Sequence, residues 1–114
     1  QPIHVAIAEG EHPAYWYFDR RLVRLAMEAA LNNALRFARS AVRLDLRQEN
    51  DQLVMVIEDD GPGFGAHDNS PHSTGLGTAL CQRVAQAHRL GERSGHISLI
   101  SRPQGGMRFE LWLP

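Results

Sequence analysis

The chain has 114 residues, 43% hydrophobic and 22% charged, with twelve Lys+Arg against thirteen Asp+Glu for a net charge of −1. That length suits one compact domain whose folding removes roughly two-thirds of its surface from water, so a core can form without metal or disulfide staples. The balanced charge excludes binding to nucleic acid or anionic membrane through bulk electrostatics. A single cysteine, Cys81, excludes an internal disulfide framework and a cysteine-rich zinc site. No run approaches the roughly 18 apolar residues of a membrane span, and no basic-then-apolar signal segment opens the chain. The composition reads as one soluble domain, 1–114, from a reducing compartment. Its first residue is Gln1 rather than Met, which leads us to expect a piece of a longer protein.

Ile3 to Ala8 alternates and is rich in β-formers, predicting a strand. A turn over Glu9–Pro13 leads to Ala14–Phe18, whose aromatics predict a second strand, and Asp19 is placed to cap a helix. From Arg20 to about Ser40 there is no Gly or Pro. Val23, Met27, Ala30, Leu31, Ala34 and Ala38 form a helical stripe that should pack on a sheet. Val42–Leu46 alternates as a strand, Arg47–Gln52 is read as the hairpin connection, and Leu53–Ile57 is an apolar strand expected at the centre of its sheet. An irregular stretch dense in Gly, Pro, Asp, Asn and His follows from Asp59 to Ser73. A second helix is expected from near Gly77 to about Arg89, and His96–Ser101 and Met107–Leu113 read as a closing antiparallel pair. This order argues for α+β architecture: a two-layer α/β sandwich, with helices on one face of a mixed, mostly antiparallel sheet. Strands and helices do not alternate one by one, which excludes a doubly wound domain.

Two glycine clusters flank the irregular stretch, Asp59-Asp60-Gly61-Pro62-Gly63 and Gly75-Leu76-Gly77. Glycines after a buried strand let a flat ligand approach the main chain, and a carboxylate there, Asp59, can accept from an amine such as that of adenine. The second pair opens a helix, whose free N–H groups and dipole favour phosphate. Neither cluster matches the Gly-Lys-Ser/Thr phosphate loop or the dinucleotide fingerprint, and a Gly-x-Gly alone is commonly just a turn. On the first helix, Asn33 offers a hard oxygen suited to magnesium, Arg36 one turn on could reach phosphate, and Phe37 could lie against a purine. Taken alone, Asn33 reads more readily as an exposed amide on the helix's solvent edge than as a ligand.

The order of the three elements is more specific than any one of them. Asn33-Ala34-Leu35-Arg36-Phe37, Glu58 to Phe64, Gly75 to Leu80, the ending Gly105–Pro114 and the helix entry Asp19–Leu22 resemble the corresponding motifs of one family. It is the ATP-binding catalytic domain of bacterial two-component sensor histidine kinases, in the superfamily that includes gyrase and MutL. The resemblance implies the Bergerat-type ATP-binding fold and Mg-ATP as ligand. It assigns Asp59 to the adenine amine, Gly61 and Gly63 to the pocket around it, Asn33 to magnesium, Arg36 to phosphate and Phe37 to the base. Gly75, Leu76, Gly77 and Thr78 would belong to the loop that closes over the phosphates. No residue is assigned as a catalytic acid or base.

The same resemblance implies a histidine kinase whose γ-phosphoryl acceptor is a histidine on a separate dimerisation domain, with a response regulator downstream. It also implies a cytoplasmic location beneath an inner-membrane sensor, and neither nucleic acid nor direct membrane contact for this segment. Two readings stand beside it: a degenerate non-catalytic nucleotide-binding module, and an anti-sigma-factor-type serine kinase on the same fold, whose target would be a serine of another protein. The departures bear on them. Position 29, where many such kinases carry Asn or Glu, is Ala29, and Glu28 is turned roughly 140° from Asn33 along the helix. Phe64 to Thr74, eleven residues, is a short lid, and Asp68-Asn69-Ser70 leads us to expect it to be mobile without nucleotide. Met107 stands where Thr is common. The six histidines are read as surface or structural groups, with His67 and His72 nearest to phosphate, and Cys81 as a small buried hydrophobe. Arg83, His88, Arg89 and Arg93 are read as a solvated basic face.

Overall fold

The computed structural model describes residues 3–7, 16–62 and 76–114. Within them the chain runs β1 (His4–Ile7), α1 (Arg20–Phe37), β2 (Ala41–Glu49), β3 (Gln52–Asp59), α2 (Leu76–Ala87), β4 (Arg89–Leu90), β5 (Arg93–Ser94), β6 (His96–Ser101) and β7 (Met107–Leu113). Five strands make one sheet in the order β1-β2-β3-β7-β6, and β4 pairs with β5 as a small separate ribbon. Only β1 pairs parallel, with β2; the other ladders of the large sheet are antiparallel. The expected mixed sheet is therefore present, and the apolar strand β3 occupies its centre.

Register explains how the sheet divides its two faces. Leu44, Ile57, Phe109 and Leu99 stand in one cross-strand row, and Leu46, Met55, Leu111 and Ile97 in another. Both rows pack under the helices in the core with Val23, Ala26, Ala34, Cys81, Val84 and Ala85. The rows between them face the other way: Arg43, Glu58 and Arg108; Asp45, Val56 and Glu110; Arg47, Val54 and Trp112. Val54 and Val56 are fully buried yet lie outside the core under the helices. Long charged and aromatic neighbours lying along a sheet can cover apolar surface in this way.

α1 begins where the sequence places its cap: Asp19 Oδ1 accepts from the N–H groups of Arg21 and Leu22, both at 3.0 Å. It ends at Phe37, earlier than expected, with Ala38 turning into extended backbone. The antiparallel run of α2 against it is fixed at two points. Cys81 Sγ donates to Ala26 O at 3.3 Å near the middle, and Asp19 N donates to His88 Nε2 at 2.9 Å at the end. His88 Nδ1 lies 2.7 Å from Val84 O, so the ring joins the two helices through both of its nitrogens. His88 is thus structural, whereas Arg83, Arg89 and Arg93 are exposed.

Three further expectations change. Residues 16–18 are irregular and form no strand; their aromatic content reflects packing, since Trp16 and Phe18 lie against the core and Trp16 Nε1 donates to Pro114 O at 3.0 Å. The β2–β3 connection is not Arg47–Gln52 but a two-residue turn, Asn50-Asp51, with φ of 51° and 60°. These angles suit the type I′ turns whose twist matches a hairpin. α2 ends at Ala87 rather than Arg89, and the chain forms the β4–β5 ribbon, anchored by Arg93 Nη2 donating to Asn50 O at 2.8 Å.

Candidate functional site

A cavity of about 280 Å³ opens between the second half of α1, the start of α2 and the ends of β3, β6 and β7. Ile57, Leu99, Met107, Phe109 and Cys81 give it apolar walls. Polar groups enter from three sides: Asn32, Asn33 and Arg36 from α1, Asp59 from β3, and Thr78 beside Gly77 from α2. Such a hollow, mostly apolar with a few convergent polar groups, is the usual form of a small-molecule site.

Asp59 is the buried charge of the site, with 4% of its surface exposed. Its Oδ1 accepts from Gly61 N at 2.8 Å. Gly61 is required here for space: a Cβ would collide with the carbonyl oxygen of Phe37 at the end of α1. The glycine thus lets the strand end and the helix end close on one another, which brings Asp59 to the residues of α1. Gly77 is different: among the described residues, a Cβ built there meets nothing within 4 Å.

The next residue, Asp60, takes the opposite direction. Its Oδ1 accepts from the N–H groups of Arg39, Ser40 and Ala41 at 2.9, 3.0 and 3.1 Å, and its Oδ2 from Ser40 Oγ at 2.6 Å. These bonds, that of the Ser40 hydroxyl foremost, hold the Asp60 carboxyl well below the usual carboxylate range. The α1–β2 connection is therefore clamped to the end of β3. Sequence reasoning passed over Asp60; the signal available was that two adjacent residues at a strand's end cannot both face the same cavity.

Of the ten residues singled out from the sequence, Asn33, Arg36, Asp59, Gly77 and Thr78 line the cavity, and Gly61 shapes it from beneath. Phe37, expected to face a base, is not among the lining residues; its ring carries the Arg36 guanidinium 5.2 Å from its centroid. Gly63, Gly75 and the side chain of Leu76 fall outside the described residues, as do the lid, His67 and His72. Ala29 is at the cavity wall, while Glu28 pairs with Arg24 at 2.9 Å on the exposed side of α1. Cys81 is 1% exposed and burial pushes its thiol up to about 11, in keeping with its reading as a small buried hydrophobe. Sequence reasoning also missed Leu99 and Phe109 as walls, because β6 and β7 meet the pocket only through sheet register.

Residues 18–114 match the model of the family described as histidine kinase-, DNA gyrase B-, and HSP90-like ATPase. The chain is 28% identical over 120 residues to the sensor histidine kinase CpxA of Escherichia coli (strain K12), covering 90% of this chain and 25% of that protein. It is 30% identical over 115 residues to the adaptive-response sensory kinase SasA of Synechocystis, covering 86% of this chain and 29% of that protein. It thus spans about a quarter of the length of these relatives. Among solved structures, a nucleotide-free catalytic domain of histidine kinase ThkA superposes with a TM-score of 0.77 at 18% identity, over 98% of this chain and 78% of that one. The histidine kinase AdeS of Acinetobacter baumannii gives 0.67 at 21%, over 96% and 52%. At such identity these two likenesses speak for the fold alone.

Proposed function

Because the chain belongs to the histidine kinase-, DNA gyrase B- and HSP90-like ATPase family, we propose that it binds Mg-ATP in this cavity and passes the γ-phosphoryl group to a histidine on a separate dimerisation domain. The observation that carries the reading is the meeting of a buried carboxylate, Asp59, with an amide and a guanidinium one turn apart, Asn33 and Arg36, around one apolar hollow. The carboxylate accepts the adenine amine while Met107 and Phe109, neighbours on one face of β7, offer an apolar wall to the ring. Arg36 neutralises phosphate charge as a planar multi-donor cation.

The donor set also suits magnesium. Among the described residues no group of three His, Cys, Asp or Glu could hold a metal, and magnesium in nucleotide sites takes only one or two protein oxygens besides phosphates and water. Asn33 would supply that oxygen, and the ion would neutralise charge on the phosphates. In the transfer, a histidine ring nitrogen forms a bond to the γ-phosphorus and the bridging P–O bond to ADP breaks. Such a reaction asks chiefly for alignment and charge neutralisation, so no acid or base from this chain is needed. The phosphohistidine would then serve a response regulator, in the cytoplasm where ATP is available.

The pocket is tested by titrating a non-hydrolysable ATP analogue with magnesium. Asp59→Asn turns one acceptor oxygen into a donor and is expected to weaken binding by about ten- to a hundredfold, the scale of a lost hydrogen bond to a charged group. Asp51→Asn, in the β2–β3 turn, should leave it unchanged. Equal effects of the two substitutions would sink the assignment. One observation favours a second reading, a nucleotide-binding module without transfer: Ala29 at the wall with Glu28 turned to Arg24 thins the polar shell. The full-length parent incubated with ATP separates them. Acid-labile, base-stable phosphate on the protein marks the kinase, and bound ATP with no phosphoprotein marks the module.

A further inference from the structure

The turn 102–106 that joins β6 to β7 lies directly behind the Asp59 end of β3. Arg102 N donates to Gly106 O at 2.9 Å and Gly105 N to Arg102 O at 3.0 Å, which closes the turn on itself. Gly106, with φ 102°, sits so near the strand end that a Cβ would collide with Asp59 O. From this turn the Arg102 guanidinium reaches back, and Nη1 donates to the same Asp59 carbonyl at 2.8 Å. Its Nε is closed to solvent without a hydrogen bond and stands 3.8 Å from Glu58 Oε2, the carboxylate that Arg108 Nη1 also meets at 3.3 Å. Neither Arg102 nor Glu58 lines the cavity.

Resting on the reading of Asp59 as acceptor of the adenine amine, we propose that Arg102 is a positioning residue for base recognition. The β3 ladders pair Asp59 with Val42 of β2 but reach β7 only as far as Glu58 opposite Arg108, so the ladder stops short of joining the Asp59 end of the strand to the turn before Met107. Arg102 supplies the missing tie. It joins the main chain of Asp59 to the turn that leads straight into Met107 and Phe109, two of the walls against which a base would lie. Glu58, held beside the guanidinium, orients it before any ligand arrives. A hydrogen bond made by a charged donor is stronger than a neutral one, and discrimination by hydrogen bonding is lost when the acceptor is placed even about 1 Å loosely.

The experiment compares the affinity of the full chain for ATP and for inosine triphosphate, in which the exocyclic amine is replaced by a carbonyl. Wild type, Arg102→Gln and Arg102→Lys are measured alongside their melting midpoints. The expected result is a wild-type preference for ATP that falls about threefold to tenfold in Arg102→Gln, chiefly through weaker ATP binding. Arg102→Lys, which keeps one charged donor, should retain more of it. A preference that is unchanged in both variants, whether or not the midpoint falls, overturns the positioning role while leaving the pocket intact. A wild type with no preference overturns the reading of Asp59 and the inference with it, and that outcome is recognisable because it involves no change at Arg102. Should Arg102→Gln fail to fold, Arg102→Met, which keeps the stem and removes the donors, decides in its place: a reduced ratio supports the role and an equal one overturns it.

Discussion

Asp59 and Asp60 are neighbours with opposite tasks, and the difference comes from the last turn of the strand pleat. Asp59 faces the cavity, buried against Gly61, whereas Asp60 gathers three backbone N–H groups and a hydroxyl from the α1–β2 connection. Because those bonds lower the Asp60 pKa in the folded protein, its stabilising effect is complete above the unfolded carboxylate value of about 3.9. It is lost as pH falls through the lower folded value. Asp60→Asn should therefore lower the melting midpoint by a constant amount from about pH 7 to pH 5, with the gap to wild type closing below about pH 4. A gap that widens on acidification would contradict the clamp. Cys81 gives a second test at this scale. Burial pushes its thiol up to about 11, so it should resist a soluble thiol reagent at pH 8 until the protein is unfolded.

Among the elements, the β2–β3 hairpin shows how a polar strand can be mistaken for a loop. Arg47 and Glu49 look like connection residues, yet they pair with each other at 3.3 Å on the outer face of the sheet while the true turn is Asn50-Asp51. Both turn residues hold positive φ, which glycine tolerates and a β-branched side chain does not. Asp51→Gly is expected to stabilise by about 0.5–1 kcal/mol and Asp51→Val to destabilise by at least about 1 kcal/mol, read from chemical denaturation midpoints. The same comparison explains α1, whose cap and inward stripe follow from local pattern while its early end follows from the approach of Gly61 to Phe37 O.

At the scale of the whole molecule, the two helices among the described residues cover one face of the sheet and a lattice of ion pairs occupies the other. Glu58 meets Arg43, Arg102 and Arg108 at 3.8, 3.8 and 3.3 Å, and Glu110 takes Arg108 Nε at 2.7 Å. The core under the helices carries the stability, so Leu111→Ala, at a fully buried central position, should cost about 2–5 kcal/mol. Because the cavity lies between the helix layer and the sheet, a nucleotide that fills it binds only the folded chain. At a hundred times its dissociation constant it should add about 2.7 kcal/mol and raise the melting midpoint by several degrees. A midpoint indifferent to ATP with magnesium would refute the proposed ligand.

The sequence by itself determined the features whose signals are local: the Asp19 cap, the inward stripe of α1, the apolar central strand, the closing pair β6–β7, and the order of polar and glycine motifs that names the family. Period and turn chemistry are written within a few residues of the atoms they govern, so they can be read without the fold. Tertiary structure alone decided which face each residue serves. Trp16 reaching Pro114, Val54 and Val56 buried away from the helices, the opposed carboxylates of Asp59 and Asp60, and Arg102 bracing Asp59 all join residues through strand register and helix packing. Those relations depend on how distant segments slide against one another, and a one-residue change of register would send strand residues such as Val54 and Val56 to the other face.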